Sequence, residues 1–121
     1  MTAVFISAGE ASGDLHGANL LKALKHRIGD VDYFGLGGDL LREQGVSLIY
    51  DLPDLAVTGF WEVAKRIFHF RKVYMDCLRE IGNRNPSLAI LIDYPGMNLR
   101  LAKALRSRGC RVVYYIAPQV C

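Results

Sequence analysis

Residues 88–92, Leu88-Ala89-Ile90-Leu91-Ile92, are apolar at every position and stop at Asp93. A strand with one wet face alternates apolar and polar residues, whereas one without alternation is covered on both faces, the usual state in a parallel sheet. Parallel neighbours need long crossovers, normally helical. The rest of the chain supplies both parts. Val4-Phe5-Ile6 runs into Ser7-Ala8-Gly9, Val31 to Phe34 is closed by Gly35, Gly37 and Gly38, and Val46 to Tyr50 and Val112 to Ile116 are similar runs. Between them, Leu20, Leu21, Leu24 and Ile28 recur at helical spacing up to Gly29. A short helix is predicted over Asp39 to Gln44, the longest over Phe60 to Ile81, and another over Asn98 to Ser107 stopping at Gly109, while Asp51 to Gly59, with Pro53, reads as a loop. Strand and helix alternate throughout, which predicts a doubly wound α/β parallel sheet in the order 3-2-1-4-5.

The 121 residues are 51% apolar, with 15 Lys and Arg against 12 Asp and Glu, a net charge of +3. This fits one domain with a real core and excludes disorder. So small an excess of positive charge gives no argument for nucleic acid. Cys77, Cys110 and Cys121 form no CxxC pair and read as reduced thiols of a cytosolic protein. No leader is visible, and no run approaches the roughly 20 apolar residues of a membrane span. The chain therefore reads as soluble or peripheral to a membrane. Ile116 to Cys121 leaves the last strand without the helix that would cover it, so the domain reads as truncated.

In such a sheet ligands bind at the carboxyl ends of the strands, where the winding reverses, here between the first and fourth strands. Two loops face that crevice. The first, Ala8 to Gly17 (AGEASGDLHG), has glycines that admit a close ligand and leads into a helix N-terminus. Its spacing is neither a dinucleotide fingerprint nor a P-loop. An ordinary turn with Ser12 or Asp14 capping the helix competes evenly with a ligand loop. Glu10 and Asp14 suit sugar hydroxyls better than phosphate, and His16 is placed to line the crevice. The second loop, Asp93-Tyr94-Pro95-Gly96-Met97-Asn98, sets a carboxylate at the end of a buried strand, a position that suits a general base, although on the residues alone a helix cap or a partner for loop amides is slightly favoured. His26 and His69 sit in basic helical stretches and read as solvated, and no His or Cys pair has metal-ligand spacing.

The segments AGEASGDLHGANLLKAL (Ala8 to Leu24), FGLGGDLLREQG (Phe34 to Gly45), VTGFWEV (Val57 to Val63), IDYPGMNLRLAKALRSRG (Ile92 to Gly109) and VVYYIAPQV (Val112 to Val120) occur together and in order. In them the chain resembles the amino-terminal half of the lipid-A-disaccharide synthases, and the resemblance covers nearly all of it. It implies the Rossmann-like N-terminal, acceptor-side domain of a GT-B glycosyltransferase, with a C-terminal UDP-sugar-binding domain absent from these residues. The implied reaction joins UDP-2,3-diacylglucosamine to 2,3-diacylglucosamine 1-phosphate (lipid X) through a β-1,6 bond, releasing UDP, for lipid A of Gram-negative bacteria. The implied location is the cytoplasmic face of the inner membrane. Many members carry Asp-Phe where this chain has Gly96-Met97, which leaves Asp93 as the carboxylate of its loop, and Trp where it has Cys121.

On that resemblance Asp93 is the base, with no metal and no cofactor, and Glu10, Ser12, Gly13, His16, Asn98 and Gln119 contact substrate. The chain alone is expected to be inactive. Two other classes compete: a truncated remnant that binds membrane or a partner, and a receiver-type signalling module. For the latter Asp51 is available, but Pro118 and Gln119 stand where its Lys belongs. Val63, Ile67, Phe70, Tyr74, Cys77 and Ile81 form an apolar stripe on the longest helix. A second apolar face, Val57, Phe60, Trp61, Ala64 and Phe68, is interleaved with Lys65, Arg66, His69, Arg71 and Lys72, as in a helix that meets anionic lipid. Packing on the neighbouring loop or on the absent domain is the competing reading of that face.

Overall fold

A computed structural model describes residues 2–29, 31–52, 63–92 and 94–115. Its elements run β1 (Thr2–Ala8), α1 (Ala11–Ile28), β2 (Val31–Gly37), α2 (Asp39–Glu43), β3 (Ser47–Asp51), α3 (Val63–Arg84), β4 (Leu88–Ile92), α4 (Pro95–Ser107) and β5 (Arg111–Tyr115). Every strand pair is parallel, in the order β3-β2-β1-β4-β5 that the alternation predicts. The unbroken apolar run becomes β4 with the bounds read from sequence.

Both faces of the central strands are covered, which is why those strands show no alternation. On one face Phe5, Phe34, Ala89 and Leu91 pack with Val73, Cys77 and Ile81 of α3 and Met97, Leu101 and Leu105 of α4. On the other, Val4, Ile6, Tyr33, Ile90 and Ile92 pack with Ala18 and Leu21 of α1 and Leu41 of α2. Phe5 and Phe34, partners in the β1–β2 register, meet edge to face with ring centroids 5.3 Å apart. Arg84 lays its guanidinium over Phe34 at 5.0 Å and reaches back to Asp32 at 3.4 Å.

The structure departs from the sequence reading at several points. β2 does not stop at Phe34 but continues through Gly35 to Gly37. Gly35 adopts φ +148°, and a Cβ there would lie 1.8 Å from the carbonyl oxygen of Ile6 on β1, so only glycine keeps the strands paired here. α4 begins at Pro95, three residues before Asn98, because proline's fixed φ and missing N–H suit the first helical position. The apolar stripe of α3 is also rotated. Val73 is buried with Cys77 and Ile81, Phe70 and Tyr74 pack beside them, and Ile67 is 60% exposed.

Candidate active site

The winding reverses between β1 and β4, whose last residues, Ala8 and Ile92, are register partners. α1 starts three residues after Ala8 and α4 three residues after Ile92, so both N-termini open at this edge. Among the described residues neither has a side-chain cap: Glu10 and Tyr94 occupy the cap positions without a side-chain cap hydrogen bond. First-turn amides left without side-chain partners favour anionic or hydroxyl oxygens nearby.

Asp14 does not cap its own helix and does not face the crevice. It is 4% exposed, and its Oδ1 accepts from the N–H groups of Gly38 (2.8 Å) and Leu41 (3.0 Å), its Oδ2 from that of Leu40 (3.1 Å). The carboxylate of α1 thus caps α2, whose own cap position is Gly38 and has no side chain to do so. That missing cap was the sequence signal for a distant donor of one. Ser12 is likewise not a cap, being exposed inside the first turn of α1.

Asn98 is buried, and its Oδ1 accepts a hydrogen bond from the Ser7 hydroxyl at 2.7 Å, joining the carboxyl end of β1 to the first turn of α4. Its amide oxygen is therefore engaged in the frame of the site. Neither Ser7 nor this bond was foreseen from sequence. Glu10 and Ser12 are exposed at the crevice edge, Gly13 is buried against Ala8 and Ile92, and His16 is half-buried with its ring 6.4 Å from that of Tyr115. Gly9 lies beneath the Tyr94 ring, where a Cβ would come within 2.5 Å of Cγ. Burial raises the Tyr94 hydroxyl pKa, with Cys77 adding to it. Cys77 is itself pushed up to about 12 by burial, with the charge of Asp76 adding to that.

Asp93, Gln119, Phe60 and Trp61 lie outside the described residues, as do the side chains at 63–66. Farther along α3, Phe68 is 69% exposed, and Arg71, Lys72 and Met75 continue the same open face. His69 is not solvated: the rotation of α3 turns it toward β3, where its ring meets Tyr50 at 6.4 Å and its Nε2 is buried with no partner among the described residues. Tyr50 in turn donates to Asp76. Among the described residues no three His, Cys, Asp or Glu side chains gather as metal ligands, and no helix is long and apolar enough to cross a membrane.

The doubly wound sheet with its crevice at the β1–β4 reversal is the Rossmann-like fold of GT-B glycosyltransferases. It superimposes on a UGT transferase from Siraitia grosvenorii, solved in complex with UDP, with a TM-score of 0.61 at 9% identity, over 95% of this chain and 28% of that one. The particular family is settled by sequence: the lipid-A-disaccharide synthetase pattern matches residues 4–121, and the chain belongs to that family. It is 47% identical to the lipid-A-disaccharide synthase of Koribacter versatilis over 121 residues, covering 99% of this chain and 32% of that protein. It is 47% identical to lipid-A-disaccharide synthase 1 of Legionella pneumophila (97% and 31% covered) and 42% identical to the Myxococcus xanthus synthase (97% and 30%). The chain thus spans about 30% of the length of these curated relatives.

Proposed function

We propose that this chain is the acceptor-side part of an inverting glycosyltransferase that joins UDP-2,3-diacylglucosamine to 2,3-diacylglucosamine 1-phosphate, giving a β-1,6 disaccharide and UDP. The observation that carries this is the family match over residues 4–121, which includes both crevice loops. Asp93, next in sequence after the last residue of β4, takes the proton of the acceptor 6-hydroxyl as that oxygen attacks the anomeric carbon. The C–O bond to UDP breaks in line, and UDP leaves with the bonding pair. Glu10, Ser12 and His16 orient the acceptor, the buried Gly13 lets it approach the start of α1, and Gln119 contacts substrate. Charge growing on UDP needs cationic or helix-end partners, which we assign to the part of the relatives that this chain does not span. The acylated substrates are drawn from a membrane, and the open face of α3, with Phe68, Arg71 and Lys72 beyond Phe60 and Trp61, rests on anionic lipid at its cytoplasmic side.

The test is sugar transfer by a fusion of this chain to the remaining part of the Koribacter versatilis synthase. Asp93→Asn keeps the side chain's shape and removes the base, and should lower turnover by about 10²–10⁴ with the fold unchanged. Near-normal turnover in a folded Asp93→Asn fusion removes Asp93 from this role.

A further inference from the structure

The residues that follow Asp93 in sequence are held at two points, one by Ser7 of β1 and one by Gly9 just beyond it. Ahead of α4, the Tyr94 ring lies on Gly9, close enough that a Cβ there would stand 2.5–2.9 Å from Cγ, Cδ2 and Cδ1. One turn later the Ser7 hydroxyl donates to Asn98 Oδ1 at 2.7 Å, and Asn98 N–H closes the first turn onto the Tyr94 carbonyl at 2.7 Å. Ser7 is fully buried and Asn98 is 2% exposed, so neither exchanges this partner for water. Asn98 Oδ1 has been turned inward from a helix start where an outward amide could meet ligand. Burying two polar side chains against each other at the carboxyl end of the sheet gains little stability over an apolar pair. It does fix direction, because a hydrogen bond tolerates little displacement.

We infer that Ser7 and Gly9 are positioning residues, a clamp that sets the β4–α4 connection against the end of β1 and through it the reach of Asp93. The inference rests on Asp93 being the base, as proposed above. Neither residue touches substrate; Ser7 acts through Asn98 and Gly9 through Tyr94. A displacement of about 1 Å at reacting groups is enough to cost a large factor in rate. The expected signature is a lower kcat at unchanged KM, since the acceptor contacts at Glu10, Ser12 and His16 stay in place.

In the fusion described above, Ser7→Ala and Asn98→Ala should each lower kcat about tenfold with KM within about twofold, and the double variant should lose no more than either. Gly9→Ala should also lower kcat, and should add no loss once Tyr94→Ala has removed the ring. Ser7→Thr, which keeps the hydroxyl, should restore kcat. Losses that multiply in the double variant, or that fall on KM alone, overturn the clamp. Asp93→Asn measured alongside separates the two ideas. If it abolishes turnover while the Ser7 and Gly9 variants keep kcat, the clamp fails and the base stands; if it keeps turnover, the base fails. In the 121-residue chain itself, Ser7→Ala should speed amide exchange from Asn98 to Leu101 and leave β1 and β2 protected. Unchanged exchange there also overturns the clamp.

Discussion

Asp14 belongs to α1 by sequence and to α2 by chemistry. Its carboxylate takes three backbone N–H groups that would otherwise be orphaned near the start of a five-residue helix. Bonds to a charged acceptor are worth more than neutral ones, and donors left buried cost further. Asp14→Ala should therefore lower stability by about 2–4 kcal/mol, read from urea unfolding, and Asp14→Asn by less because one acceptor oxygen survives. A loss under about 0.5 kcal/mol for the alanine variant means that solvent replaces the cap. Cys77 offers a different test. Its folded pKa near 12 exceeds that of an unfolded thiol, about 8.5, so above pH 8.5 the unfolded chain releases a proton that the folded chain keeps. Stability contributed by the neutral thiol is complete below that pH and is lost as pH rises toward 12, at about 1.4 kcal/mol per unit. Cys77→Ala should be less stable at neutral pH and show a shallower alkaline slope, the remainder coming from buried groups such as Tyr94 whose pKa is also raised; an identical slope in the variant would place its cause elsewhere. The Asp14 role was illegible as a pairing because its partners lie 24–27 residues away and sequence spacing carries no information over that range.

At the scale of elements the sheet was legible because burial on both faces leaves an unbroken apolar run that no turn interrupts. β4 was read to the residue, whereas β2 was cut short at Gly35, a glycine that marks close strand contact and not a turn. Helical spacing gave the existence of α3 but not its rotation. Phe70, Val73 and Tyr74 all suit the core by type, and only the packed sheet decides that Val73 enters and Ile67 stays out. The outcome is an open face with Ile67, Phe68 and Met75 beside Arg71 and Lys72. Trp61→Ser with Phe68→Ser should shift the full-length fusion from anionic vesicles to the supernatant in a sedimentation assay. Added salt should weaken binding of the unsubstituted protein only in part, since its cations supply part of the attraction. Unchanged sedimentation of the double variant would mean that this face packs against protein.

As a whole the described residues form a doubly wound sheet with its crevice at the β1–β4 reversal. The reversal at β1 and β4 was legible from strand order alone, and the two loops that meet there were picked out by their glycines and carboxylates. Which side chains point outward was not legible: Glu10 and Ser12 are open, while Asp14 and Asn98 turned inward to serve the frame. The relatives are about three times as long as this chain, and the donor-binding wall is proposed to lie in the part of them that it does not span. The proposed division is tested by UDP release and disaccharide formation from both acylated substrates, measured for the purified 121-residue chain and for its fusion to the rest of the Koribacter versatilis synthase. The fusion should turn over, and the chain alone should neither turn over nor bind UDP tightly. Disaccharide formation by the 121-residue chain on its own would contradict that division.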